Sequence, residues 1–205
     1  MNKKDMIESV KGYLAHFGGP DKRILNALEK IDRKNFMDFN KQAAYEDEAI
    51  PISMGQTISQ PSTVARMISL LDLKKSDTVL EIGTGSAWNA ALMVYLSKKV
   101  TTYEIVEQLI KKAKERLKKL KIKNIEIREG DFRKEKEKFN KIIFTAGVLK
   151  HDEKKIDNFA KTHLKNNGIL LCPFRSGPLI IIQKKNNKII KSYSQEEYGF
   201  VPLIL

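Results

Sequence analysis

Three short segments, each at the end of an apolar run, hold the residues of this sequence most suited to chemistry. Val79-Leu80-Glu81-Ile82 passes into Gly83-Thr84-Gly85-Ser86, a strand-like stretch that breaks into a glycine loop. Gly83 and Gly85 lack the Cβ that would keep a ligand away from the backbone. A dinucleotide fingerprint needs a further glycine three residues on, and Trp88 stands there, so the loop suits a ligand without a pyrophosphate. Glu104 closes the next apolar run, at the spacing where a carboxylate accepts hydrogen bonds from both ribose hydroxyls. Gly130-Asp131 closes the third, where an acidic side chain can accept from an adenine amino group. Each segment alone reads as ordinary turn chemistry. Together, at successive strand ends, they predict an adenosine-containing ligand.

Positioning these residues requires an alternating architecture, and the chain has one from Thr78 onward. Strand-like runs are expected over about 78–82, 99–104, 124–128, 141–145 and 169–172, with helices over about 86–97, 107–119 and 152–164 between them. Residues 179–184 and 188–193, around Lys185-Asn186-Asn187, read as a hairpin. The expected fold is α/β: a Rossmann-like, doubly wound, mostly parallel sheet of about seven strands with helices on both faces and a C-terminal antiparallel hairpin. In such sheets ligands sit at the carboxyl ends of the strands, where the strand order reverses. Ahead of it lie extra N-terminal helices, about 4–17 ending at Gly18-Gly19-Pro20, and 21–31. A stretch of weak periodicity, 35–60, reads as an extended loop before a helix over 61–71 that Pro61 suits at its first turn.

With 205 residues, no internal repeat and no Pro/Gly/Ser-rich linker, the chain is expected to form a single domain. About 1–76 would supply the N-terminal helices and a substrate loop or lid, and about 77–205 the cofactor-binding core. The content of 41% hydrophobic and 31% charged residues is that of a soluble globular protein. No run is apolar enough for a membrane span and the start has no signal-peptide core, so a cytoplasmic location is expected. The lone Cys172 allows no disulfide framework and no CxxC zinc site, and no metal is expected. The net charge of +13 raises the question of nucleic acid. Its densest block, Lys111 to Lys123, interleaves lysines with Ala113, Leu117, Leu120 and Ile122 and has no aromatic to stack on a base. It reads as the wet face of an amphipathic helix, so neither a nucleic-acid nor a membrane partner is called for. Oligomeric state stays open, with a monomer the simpler expectation.

Glu81-Ile82-Gly83-Thr84-Gly85-Ser86, Glu104 and Gly130-Asp131 together resemble the S-adenosylmethionine site of class I methyltransferases. Within that superfamily, Asp47-Glu48-Ala49-Ile50-Pro51, then Gly55-Gln56-Thr57-Ile58-Ser59-Gln60-Pro61, closely resemble protein-L-isoaspartate O-methyltransferases, as does Phe200-Val201-Pro202-Leu203 near the end. Thr145-Ala146 resembles that family's Thr-Ala-Ala, and not the (Asp/Asn)-Pro-Pro-(Tyr/Phe) of enzymes that methylate exocyclic amines. The chain departs from the family pattern at Ser53, Ser62, Ala87, Trp88 and Phe132.

The resemblance implies transfer of a methyl group from S-adenosyl-L-methionine, leaving S-adenosyl-L-homocysteine, to the α-carboxylate of L-isoaspartyl residues in damaged peptides and proteins. It implies Ser59 as the residue orienting that carboxylate, with Thr57 and Ile58 in the lid. Glu81, Gly83, Thr84, Gly85, Ser86, Glu104, Asp131, Phe132 and Thr145 are the implied cofactor-binding residues. Two other readings of Ser59 and Ala87 come from helix chemistry: Ser59 would suit a cap for the helix at Pro61, and Ala87 suits a helix already begun. The alternatives to isoaspartyl repair are a class I methyltransferase acting on RNA or a small molecule, and an inactive cofactor-binding relative.

Overall fold

The structure is a computed structural model that describes residues 1–204. Helix α1 (Lys3–Ala15) begins with a reciprocal cap: Asn2 accepts from the Asp5 N–H and Asp5 accepts from the Asn2 N–H. Met6, Val10 and Leu14 form its buried stripe, and Gly18 and Gly19, both at positive φ, end the run. Helix α2 (Lys22–Lys30) is capped by Asp21 and followed by a 3-10 turn at Arg33–Phe36. The segment expected as bare loop contains a two-stranded ribbon, β1 (Ile50–Pro51) against β2 (Thr57–Ile58). Pairing so short leaves no periodicity to read in sequence. Helix α3 (Pro61–Leu71) follows, with its expected bounds.

The core alternates as expected: β3 (Thr78–Ile82), α4 (Trp88–Leu96), β4 (Lys99–Glu104), α5 (Glu107–Lys119), β5 (Ile125–Glu129), β6 (Phe139–Phe144), α6 (Glu153–His163) and β7 (Leu164–Pro173). The chain closes with β8 (Ser176–Gly177), the hairpin β9 (Leu179–Lys185) and β10 (Lys188–Tyr193), and β11 (Tyr198–Gly199), which pairs with β8. Seven strands form one sheet in the order β5-β4-β3-β6-β7-β9-β10, parallel from β5 to β7 and antiparallel at β9 and β10. Asn186 and Asn187 both take positive φ in the hairpin turn, as a two-residue turn of matching twist requires.

Side-chain alternation divides the core. Val79, Val100, Ile143 and Leu171 face the layer of α1 to α5, while Leu80, Ile142 and Leu170 face α6. The strand order reverses between β3 and β6, and the crevice opens there. Helix α5 buries Leu109, Ile110, Ala113 and Leu117 and turns its lysines outward, the wet face expected of the basic block. No helix among the described residues is long and apolar enough to cross a membrane.

Candidate active site

The loop after β3 is fixed from below by hydrogen bonds that need no ligand. The N–H groups of Gly83 and Thr84 both donate to the Tyr103 carbonyl, at 2.9 and 3.1 Å. Thr145, just past β6, donates its hydroxyl to the carbonyls of Gly83 (2.6 Å) and Ile82 (3.0 Å). Gly83 has φ of 100°, and a Cβ there would be driven into the Thr145 hydroxyl. Only glycine fits, because both the dihedral and the neighbour exclude a side chain.

Glu104 lies at the lip of the crevice with its carboxylate pinned. It accepts from the N–H of Gly85 (2.9 Å), Ile105 (3.0 Å) and Val106 (3.1 Å). Its direction is therefore set in advance, with lone pairs left for hydroxyl donors.

The crevice opens to solvent at the carboxyl ends of β3 and β4. Gly83, Thr84, Gly85, Ser86, Glu104, Phe132 and Thr145 line it, and so do Thr57, Ile58 and Ser59 from the N-terminal third. Residues as far apart as Thr57 and Thr145, 88 positions along the chain, thus share one space, and Trp88 and Phe132 line it as well.

Two expected cofactor residues sit elsewhere. Glu81 is fully buried and does not line the crevice, because strand alternation turns it beneath the loop. There it accepts from the Thr102 hydroxyl (2.6 Å) and the Asn89 amide (2.8 Å), and Thr102 in turn bonds the Thr84 hydroxyl. Burial pushes its carboxyl up to about 8, and the nearby Glu104 charge adds to the shift. Glu81 is a support of the loop. Asp131 is the other. Its carboxylate accepts from the Arg133 N–H (2.9 Å) and pairs with the Arg133 guanidinium, which also holds it below the usual carboxylate range. The crevice meets its neighbours Gly130 and Phe132 instead. Phe132 is held edge-on by Phe144 and Phe159, at centroid distances of 5.4 and 5.3 Å.

Both helix-chemistry readings are overturned. Ala87 has φ of 68°, left-handed, and α4 begins only at Trp88. The tight entry into the helix, closed by Ala87 N–H donating to Thr84 O, demands that dihedral whatever the residue. Ser59 does not cap α3. Asp47 does, accepting from the Ser62 N–H (2.8 Å) and from the Ser62 and Ser9 hydroxyls. The Ser59 hydroxyl makes no intramolecular hydrogen bond among the described residues; only its carbonyl is held, by Arg33 (3.0 Å). Ser53, another departure, bonds Asp38 (3.0 Å) and receives a bond from Lys112 (2.6 Å), which ties the ribbon's turn to α5.

Several crevice residues escaped the sequence reading as site residues. Asn89 and Val64 come from helices, one turn past a recognised motif in each case. Val201, Pro202 and Leu203 were recognisable as a motif without a role. They lie against the loop after β6, where Gly147 N–H donates to Val201 O (2.8 Å) and Leu203 N–H to Gly147 O (2.9 Å).

The family model of protein-L-isoaspartate(D-aspartate) O-methyltransferases matches residues 1–205. The chain belongs to that family. A protein-L-isoaspartate O-methyltransferase of Thermosipho melanesiensis is 40% identical over 209 residues, covering 97% of this chain and 100% of its own. One from Yersinia enterocolitica is 39% identical, covering 100% and 97%. Among solved structures, a protein-L-isoaspartate O-methyltransferase superposes with a TM-score of 0.80 at 25% identity, over 98% of this chain and 65% of that one. A Plasmodium falciparum structure assigned to the same activity, in complex with S-adenosyl-L-homocysteine, gives 0.78 at 27% identity over 100% and 99%. Membership explains why the crevice has the makings of an adenosyl site: a glycine loop open to close approach, a pinned carboxylate at its lip, and an aromatic wall at Phe132.

Proposed function

We propose that this protein transfers the methyl group of S-adenosylmethionine to the α-carboxylate of L-isoaspartyl residues in damaged peptides and proteins. One observation carries the reading: the Thr57-Ile58-Ser59 loop lines the same crevice as the glycine loop, Glu104 and Thr145. Bound there, S-adenosylmethionine supplies a methyl group activated by a sulfonium. Glu104 holds the ribose hydroxyls, the Gly83–Gly85 backbone lets the ligand approach, and Phe132 covers the base, with Thr84, Ser86 and Thr145 shaping the floor.

Ser59 directs the acceptor. Its free hydroxyl donates to the substrate carboxylate and turns one oxygen toward the methyl group. A carboxylate with an ordinary pKa of about 4 is already the nucleophile at neutral pH, so no general base is needed. Ile58, which is buried, and the apolar walls strip water from that oxygen as anion and cation neutralise each other. Residues 1–76 and 77–205 act as one unit in this scheme, with the lid in the first part and the cofactor in the second. The buried, unpaired Cys172 suits the reducing cytoplasm.

Incubation with S-adenosylmethionine and paired isoaspartyl and aspartyl peptides should yield base-labile methyl esters on the first only. Ser59→Ala should lower kcat/KM by about 10- to 100-fold with cofactor affinity retained, since losing a hydrogen bond to a charged group costs about 1.5–3 kcal/mol. Methylation of tRNA but not peptide would redirect the activity. Cofactor binding without turnover on any isoaspartyl peptide would mark an inactive relative.

A further inference from the structure

The strongest unexplained feature near the crevice is a buried cation. Arg33, in the 3-10 turn after α2, is completely inaccessible to solvent. Five of its hydrogen bonds go to main-chain carbonyls of one segment: Ala44 (3.1 Å) and Glu46 (3.0 Å) from one terminal nitrogen, Glu48 (2.8 Å), Ile58 (3.2 Å) and Ser59 (3.0 Å) from the other. No carboxylate lies within ion-pair distance among the described residues; Asp47 and Glu46 act on it only from farther off. Burial draws its pKa down to about 10, which still leaves it charged at neutral pH. On its other side the guanidinium sits 5.3 Å from the centroid of Trp88, a crevice residue whose indole N–H donates to Ile31 O at 3.2 Å.

A buried charge without a counter-ion is expensive unless its donors are satisfied. Here the groups that satisfy its two terminal nitrogens are carbonyls of the segment that carries the acceptor-orienting serine, while Nε has no partner among the described residues, so the fold makes the charge depend on that segment's conformation. A lysine offers three donors around one point and cannot reproduce a planar fork that reaches five carbonyls across fifteen residues. We propose that Arg33 is the positioning residue of methyl transfer, a hub that locks Ile58 and Ser59 against the Trp88 side of the cofactor crevice. It touches neither substrate nor cofactor. The proposal rests on the reading of Ser59 as the group that orients the substrate carboxylate.

The test compares Arg33→Lys with Ser59→Ala and the unaltered protein, all full length, with peptide kinetics expressed per folded molecule. Cofactor affinity is followed through the fluorescence of Trp88, the only tryptophan in the sequence. Arg33→Lys should raise KM for the isoaspartyl peptide and lower kcat/KM by about 10- to 100-fold, the scale of a misplacement of about 1 Å away from the chemistry. Hydrogen exchange should speed up over residues 44–59, and the Kd for S-adenosylhomocysteine should change by less than about threefold. Unchanged kinetics per folded molecule, even with a lower melting temperature, would reduce Arg33 to a structural prop and overturn the proposal. A rise in Kd matching the rise in KM would also overturn it, by assigning Arg33 to the cofactor loop. If Arg33→Lys does not accumulate folded, Arg33→Gln replaces it under the same criteria. Should Ser59→Ala turn over normally while Arg33→Lys loosens the segment and raises KM, the Ser59 reading fails and the hub stands.

Discussion

The two loops that meet at the crevice are held by opposite means. The glycine loop, residues 83–87, is bound largely through its own backbone: Tyr103 O, Thr84 O and the Glu104 carboxylate take its N–H groups, and the Thr145 hydroxyl donates to the Gly83 carbonyl. The loop that carries Ser59, residues 37–60, has little ladder beyond the pairs Ile50 with Ile58 and Pro51 with Thr57. It is held by charged side chains that link it to other elements. Arg33 grips its carbonyls, Asp47 ties it to the start of α3, and Asp38 pairs with Lys112 and Arg116 of α5. A backbone-held loop tolerates change at its surface but not in its dihedrals. A side-chain-held loop tolerates dihedral change but not loss of a single long-range partner.

Gly83→Ala should break the first loop most severely. Its φ of 100° and the Thr145 hydroxyl both oppose a methyl group. Strain of about 2–4 kcal/mol is expected, and S-adenosylhomocysteine affinity should fall by more than about 50-fold in calorimetric titration. The second loop is tested by Asp47→Ala, which removes the cap on α3 and the Ser9 contact. It should destabilise by about 1–2 kcal/mol in urea unfolding and raise peptide KM more than cofactor Kd.

Beneath the glycine loop, Glu81 adds a pH dependence. Its folded carboxyl, raised to about 8 by burial, holds a proton that the unfolded chain releases near 4.5. The folded state therefore binds more protons between those values, and stability falls as pH rises from about 5 to 8. Glu81→Gln keeps the shape without the titration. Its melting temperature should decline less across that window, and equal slopes for the two proteins would refute the buried proton. The smallest effect is expected at Ala87→Gly. Relief of the left-handed strain at φ of 68° offsets the loss of a buried methyl and the extra chain entropy, leaving stability within about 1 kcal/mol by thermal melting.

Two positions show where sequence reasoning reached its limit. Glu104 was legible because a strand-end carboxylate after a glycine loop has one obvious geometry, and the structure holds it at the crevice lip. Asp131 had the same credentials, yet the guanidinium two residues away claims its carboxylate, a local competition that spacing does not register. Ser62 looked like a loss relative to the family pattern and proves to be Asp47's partner. Trp88, another departure, forms the platform beneath Arg33.

The bounds of α3, β3, β4 and α5, the hairpin of β9 and β10, and the motifs at the strand ends were all settled by the order of residues, because periodicity, breakers and turn dihedrals are properties of neighbours along the chain. Which face Glu81 shows, what caps α3, and how a loop without periodicity comes to present Ser59 were decided only in three dimensions. Those outcomes depend on contacts such as Arg33 with Ser59, 26 residues apart, and Asp38 with Arg116, 78 apart. Partners so distant leave no pattern in sequence until the sheet and its helices have brought them together.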